Sequence, residues 1–239
     1  MLDSAGERDQ ATAARYIRVA SRALARSGLV HAYGHCSARF DAQRFLVSPP
    51  KPLGMVRPED LPVLVATTGA LPAGALPEVI AHQCIYERRP DVGGIARFQS
   101  PNLVALSALG RTPRALHGFG AYFAPGPPLH ADPRLVREAA AAEALTGLLG
   151  SGCAVVMRGN GAITVGTTIE EAVALAWYLE DAARVELAVL GTGLGAMEYT
   201  DAEVRDRAVN TGRLLERMWD WMTADDPESQ MLTRGSTHE

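Results

Sequence analysis

PEVIAHQCIYERRPDVGGIARFQSPN, residues 77–102, is the stretch that decides the fold. Its first half reads as a helix that begins near Pro77 and covers EVIAHQCIYERR. Proline suits a first helical position, and RPDV ends the run. GGIARFQ then reads as a strand. Side chains alternate along a strand, so Ile95, Arg97 and Gln99 share one side and Ala96 and Phe98 the other. Ser100 is a good N-cap and Pro101 a good first residue for the helix SPNLVALSALG. A charged arginine and a polar glutamine therefore lie together at the end of an otherwise apolar strand, which needs a reason.

Upstream, a helix is expected over 7–27, with Ala14, Ile17, Ala20 and Leu24 on one face and Gly28 as its stop. HAYGHCSARF (31–40) and RFLVS (44–48) read as two strands around a turn at 41–43. A Pro/Gly-rich loop, the strand LPVLVAT (61–67) and a second loop lead to the quoted segment. Downstream, one or two short strands are expected around RALHGFGAYFA (114–124), then a helix over 133–150. CAVVMRGNGAITVG (153–166) reads as two strands joined by a turn at 159–161. A long helix follows over 168–191, capped by Thr168 with Glu171 as capping-box partner, and a last helix over 201–222. Several strands follow one another directly. That order implies one largely antiparallel sheet with helices on its faces, an α/β class. Residues 1–224 are expected to form a single domain and 225–239 a disordered polar tail.

The chain has 239 residues and a formal net charge of −4, with no long basic run, which disfavours nucleic acid as a partner. No apolar stretch reaches membrane-spanning length, and the polar start MLDSAGERDQ does not read as a secretory signal. Cys36, Cys84 and Cys153 form no CxxC spacing, so neither a disulfide framework nor a cysteine zinc site is expected, and a reducing cytoplasm is the default.

Several motifs together resemble the class II aldolase/adducin family, in the family's order from about residue 12 to about 192. They are GLVHAYGHCSARFDAQRFLVSP (28–49), VRPEDLPVL (56–64), PEVIAHQCIYERRPDVGGI (77–95) and MRGNGAITVGTTIEEAVALAWYLEDAARVE (157–186). The resemblance implies a three-layer α/β/α sandwich and a homotetramer with active sites between subunits. It also implies a divalent metal held by three histidines, with a helix glutamate as acid/base or extra ligand. That glutamate is Glu78 here, and the three histidine positions hold Arg97, Gln99 and Asn160.

This departure is the most informative feature of the sequence. Arginine has no lone pair to give and carries a fixed positive charge. Amides are weak zinc ligands, whereas a catalytic zinc takes three His, carboxylate or thiolate ligands. The pocket is therefore expected to be free of metal, with no other cofactor. Arg97 then supplies the positive charge, either to a substrate carboxylate or to an enolate as it forms. Glu78 moves a proton. Gln99 and Asn160 hydrogen-bond around the charge.

The expected activity is that of a lyase or isomerase on a small carboxylated or carbonyl substrate, by aldol cleavage or formation, decarboxylation or enolisation. The alternative is a catalytically inactive, adducin-like binding or scaffold protein in which Arg97 and Glu78 form a structural salt bridge. A metal aldolase using Glu78, His82 and His35 is a third possibility. His35, in a YGHxSxR stretch that resembles a branch with aromatic-acid decarboxylases of the dihydroxyphthalate type, is expected to contact substrate. Ser48, at a strand end, and Tyr122 are further substrate-binding candidates. His82 is assigned a structural role, Lys51 a solvated loop charge, and Trp177 and Tyr178 packing; His117 and His130 flank the irregular 110–134 region, with His130 read as a surface histidine over one that reaches the pocket across a subunit boundary. Cys36 and His35 face opposite ways on an alternating strand, which argues against a Cys/His nucleophilic pair.

Overall fold

The computed structural model describes residues 10–232. Helix α1 (Gln10–Arg26) leads into strands β1 (His35–Arg39), β2 (Arg44–Val47) and β3 (Val63–Ala66). A 3-10 turn at Pro77–Val79 opens α2 (Ile80–Arg88), followed by β4 (Gly94–Phe98) and α3 (Pro101–Ala108). After β5 (Leu129–His130) come α4 (Ala139–Leu149), β6 (Ala154–Met157), β7 (Gly161–Gly166) and the long α5 (Ile169–Gly191). Helices α6 (Asp201–Arg207) and α7 (Leu214–Thr223) follow, with a 3-10 turn at Ser229–Met231.

The strands form one seven-stranded sheet in the order β3-β2-β1-β4-β7-β6-β5. Every pairing is antiparallel except β5 with β6. The quoted strand β4 therefore lies at the centre, bonded to β1 and β7. Its alternation sorts residues as expected. Ala96 and Phe98 pack with α1, α3, α5 and α7 in one core, while Ile95 joins α2 and α4 in the other. This is the α/β/α sandwich that the resemblance implies. No helix among the described residues is long and apolar enough to cross a membrane.

Several expectations need correction. The 114–124 region forms a 3-10 turn at Gly120–Phe123 rather than a strand; the short strand lies later, at β5. Helix α4 starts at Ala139, well after Pro133. Thr168 caps α5 by accepting the Glu171 N–H at 3.2 Å, but the Glu171 carboxylate reaches back to the Thr167 N–H, not to its own cap. The expected last helix is two helices, broken by Gly212 and Arg213, which both have positive φ.

The tail is corrected as far as it is described. Residues 225–232 pack against α1 instead of being disordered. Asp226 accepts from Arg22 at 2.7 and 2.8 Å and from Arg26 at 2.9 Å; Glu228 accepts from Arg18 and Arg22 at 2.6 and 2.8 Å. Residues 233–239, and the expected helix start at 7–9, lie outside the described residues.

Candidate functional site

A pocket of about 570 Å³ opens beside the ends of β1 and β4, and His35, Glu78, Arg97 and Gln99 line it. Its other walls are largely apolar: Tyr33, Pro50, Pro52, Leu76, Pro77 and Leu135. A larger groove of about 930 Å³, between the start of α5 and α7, contains none of the expected site residues.

Sheet register creates the pocket's polar floor. His35 on β1 lies directly opposite Arg97 on β4. Arg97 is only 7% exposed, and it donates through Nη2 to Asn160 Oδ1 at 2.7 Å. Gln99 Nε2 donates to that same oxygen in a short contact. No ion pair joins Arg97 to a carboxylate among the described residues. Burial pushes its pKa down to about 10, with the Glu78 charge opposing that shift, so the guanidinium stays charged at neutral pH.

Asn160 reaches this position because the β6–β7 turn presses against β4. Gly161 has φ +80°, and a Cβ there would lie 1.9 Å from the Phe98 carbonyl oxygen. A Gly161→Ala substitution is expected to cost about 3 kcal/mol or more through clash and left-handed strain, read as a fall in the denaturation midpoint.

Glu78 is placed in the pocket, but its partner is not the expected one. It pairs with Arg137 at 2.8 Å, a residue just before α4 that the sequence reading did not single out. The structural Glu78–Arg97 salt bridge of the alternative reading is not formed. Ser48 is buried and is not among the residues that line the pocket; its hydroxyl accepts the Cys36 N–H at 3.3 Å. Tyr122 also does not line the pocket. Its hydroxyl donates to the Val209 carbonyl at 2.6 Å, and its ring packs on Tyr178. Lys51 lines the pocket but is paired with Asp60 at 2.8 Å. His117 pairs with Asp181 at 2.9 Å, and His130 is buried rather than at the surface as expected.

Behind His35 lies a buried chain of hydrogen bonds. His35 Nδ1 meets His82 Nε2 at 2.9 Å, His82 Nδ1 meets Ser37 Oγ at 2.7 Å, and Ser37 Oγ meets the Tyr86 hydroxyl at 2.9 Å. Burial, aided by the Arg97 charge, takes His82 down to about 3. Burial, then His82 and Arg97, lowers His35 well below the usual imidazole range. Both rings are neutral at pH 7.

The donor set does not fit a metal ion. At the three positions implied to be ligands, a cation and an amide N–H both point at the Asn160 oxygen, and that occupies its acceptor face. The Glu78, His82 and His35 set fares no better, because the facing nitrogens of the two histidines bond each other. Among the described residues, no group of three or more His, Cys, Asp or Glu side chains is placed to hold a metal.

The model for the class II aldolase and adducin N-terminal domain matches residues 15–187. Over 209 residues the chain is 28% identical to a 3,4-dihydroxyphthalate decarboxylase of Arthrobacter keyseri, covering 80% of this chain and 84% of that one. A protein of the same name from Rhodococcus jostii (strain RHA1) is 26% identical over 136 residues, which span 54% of this chain and about half (55%) of the relative. The solved L-fuculose 1-phosphate aldolase from Glaciozyma antarctica PI12 superposes with a TM-score of 0.77 at 21% identity, covering 94% of this chain and 93% of that one. That last likeness concerns the fold alone.

Proposed function

The chain belongs to the class II aldolase and adducin family, and from that premise we propose that it is a metal-independent lyase acting on a small carboxylate, with decarboxylation as the reaction its pocket supports best. The observation that carries this reading is Arg97: a buried cation facing a pocket, hydrogen-bonded to a neutral amide and ion-paired to no carboxylate among the described residues. Burying a charge without an opposite charge is costly, and an anionic ligand offsets that cost. The proline, leucine and tyrosine walls suit a flat unsaturated or aromatic body. The two relatives named as decarboxylases of an aromatic diacid support the same substrate class.

In this mechanism Arg97 holds the negative charge that stays with the substrate, a neighbouring carboxylate or the oxygen of a developing enolate. The bond to the departing carboxyl breaks, its electron pair moves into the conjugated system, and carbon dioxide leaves. A proton then replaces it at carbon. That proton comes from water, and Glu78, beside Arg137 at the pocket wall, relays it to the carbon. Gln99 and Asn160 fix the guanidinium's direction. A cytoplasmic homotetramer with sites at subunit interfaces belongs to the same reading.

The test is carbon dioxide release from 3,4-dihydroxyphthalate and related aromatic carboxylates, with and without a chelator. Turnover is expected to be unchanged after exhaustive metal removal. Loss of turnover on chelation, restored by a divalent ion, overturns the metal-independent mechanism. Specific carboxylate binding without turnover by any candidate would instead favour a binding module.

A further inference from the structure

We propose that His35 is a fixed hydrogen-bond donor of this pocket: its Nε2–H, aimed by a chain of three hydrogen bonds that starts at Tyr86, receives the substrate oxygen on which negative charge develops. The proposal rests on the lyase reading above for its substrate, but not for its geometry.

The polarity of the chain follows from counting protons. The Tyr86 hydroxyl is fully buried, and its hydrogen-bond partner is Ser37 Oγ, so its single proton is donated there. Ser37 therefore directs its own proton to His82 Nδ1. With that nitrogen accepting, a neutral His82 carries its proton on Nε2 and donates to His35 Nδ1. His35, also neutral, is left with its proton on Nε2. That nitrogen is buried, has no hydrogen-bond partner among the described residues, and belongs to a residue that is 3% exposed and lines the pocket. A buried N–H with no partner is costly, which points to a ligand acceptor in that place.

The surroundings favour a neutral donor over a charged acid. Arg97 lies directly opposite across the strand pair, and its charge opposes protonation of both rings. Glu78 is the carboxylate that lines the same pocket, and it is paired with Arg137. A neutral imidazole acting as a hydrogen-bond donor to a developing oxyanion is an established catalytic device, because it stabilises the charge without losing its proton. His35 and Arg97 then flank one oxygen or one enolate from the two central strands. His82, Ser37 and Tyr86 do not reach substrate; they are positioning residues that set the tautomer.

The experiment is nitrogen-15 NMR of the histidine-labelled full chain at pH 7, joined to kinetics on 3,4-dihydroxyphthalate. The expected spectrum shows His35 neutral with its proton on Nε2. Ser37→Ala removes the donor to His82 and is expected to mix the two His35 tautomers. The same variant should lower kcat about tenfold with little change in KM. His35→Leu is expected to lower kcat about 100-fold, and His35→Gln, which keeps an N–H donor, to recover part of that loss. A charged His35, a proton on Nδ1 in the wild type, or unchanged kcat in both Ser37→Ala and His35→Leu overturns the proposal. No turnover by the wild type would sink the lyase reading alone, and the tautomer would then decide the proposal by itself.

Discussion

Arg97→Met is expected to weaken carboxylate binding about 100-fold and, at the same time, to raise thermal stability. The two effects have one cause. The native guanidinium is desolvated in the sheet's centre, and its partner is an amide rather than a carboxylate. Methionine keeps the length of the apolar stem and removes the charge, a change that is neutral or stabilising by about 1–2 kcal/mol at such sites. Asn160 keeps its hydrogen bond from Gln99. Loss of a charged, hydrogen-bonded anchor costs about 3 kcal/mol of ligand binding, roughly 100-fold. Calorimetric melting with a panel of aromatic carboxylates checks both halves. If the variant melts lower and binds as before, Arg97 is a structural charge and the pocket needs another explanation.

Asp226→Ala is expected to be among the most damaging changes far from the pocket, at about 2–3 kcal/mol. Its carboxylate is fully covered and joins Arg22 and Arg26, with Glu228 completing the cluster through Arg18 and Arg22. Removing the Asp226 carboxylate leaves the buried Arg22 with Glu228 alone where two carboxylates had balanced the cluster, and strips Arg26 of its partner. Denaturant unfolding measures the loss; a cost below about 1 kcal/mol would show that the segment is not needed to hold α1 in place. The same cluster predicts a pH response. Burial acts to raise the Asp226 and Glu228 pKa values, but hydrogen bonds from Arg22 and Arg18 outweigh it, so both are lowered on folding. Their contribution is complete above the unfolded carboxylate range, near pH 4, and is lost as pH falls through the lower folded values. Acid unfolding of the wild type should therefore be steeper than that of Asp226→Asn.

What the sequence disclosed, and what it hid, follows from the range of each interaction. Alternation along 94–98 placed Arg97 and Gln99 on one side of β4 because strand geometry is local. The Thr168 cap was legible for the same reason. The break between α6 and α7 was missed because the apolar pattern of 201–222 continues through Gly212, and only tertiary packing tells two short helices from one long one. Asp226 and Glu228 looked like solvated tail charges, since their arginine partners lie at the other end of the chain. Arg137 was missed similarly, its partner Glu78 being distant in sequence.

The buried chain behind His35 did leave a signal. His35 and Ser37 share one face of a strand, while His82 and Tyr86 are one turn apart on a helix, as are Glu78 and His82 in spacing. Two matched polar faces in neighbouring elements predict a buried network. Taken alone, His82 carries only a structural signal; its direction comes from Ser37 and His35 across the elements.

The order of strands also governs how the chain acquires its shape. The middle strand finds its two neighbours only across long stretches of chain, with Ile95 meeting Ser37 on one side and Val165 on the other. Such distant closures are entropically slow, so refolding should take milliseconds to seconds rather than microseconds. During synthesis, Phe98 and Ile95 emerge well before β7 can cover them. A ribosome-bound fragment ending near residue 150 should therefore depend on chaperones, and the dependence should vanish once α5 has been made.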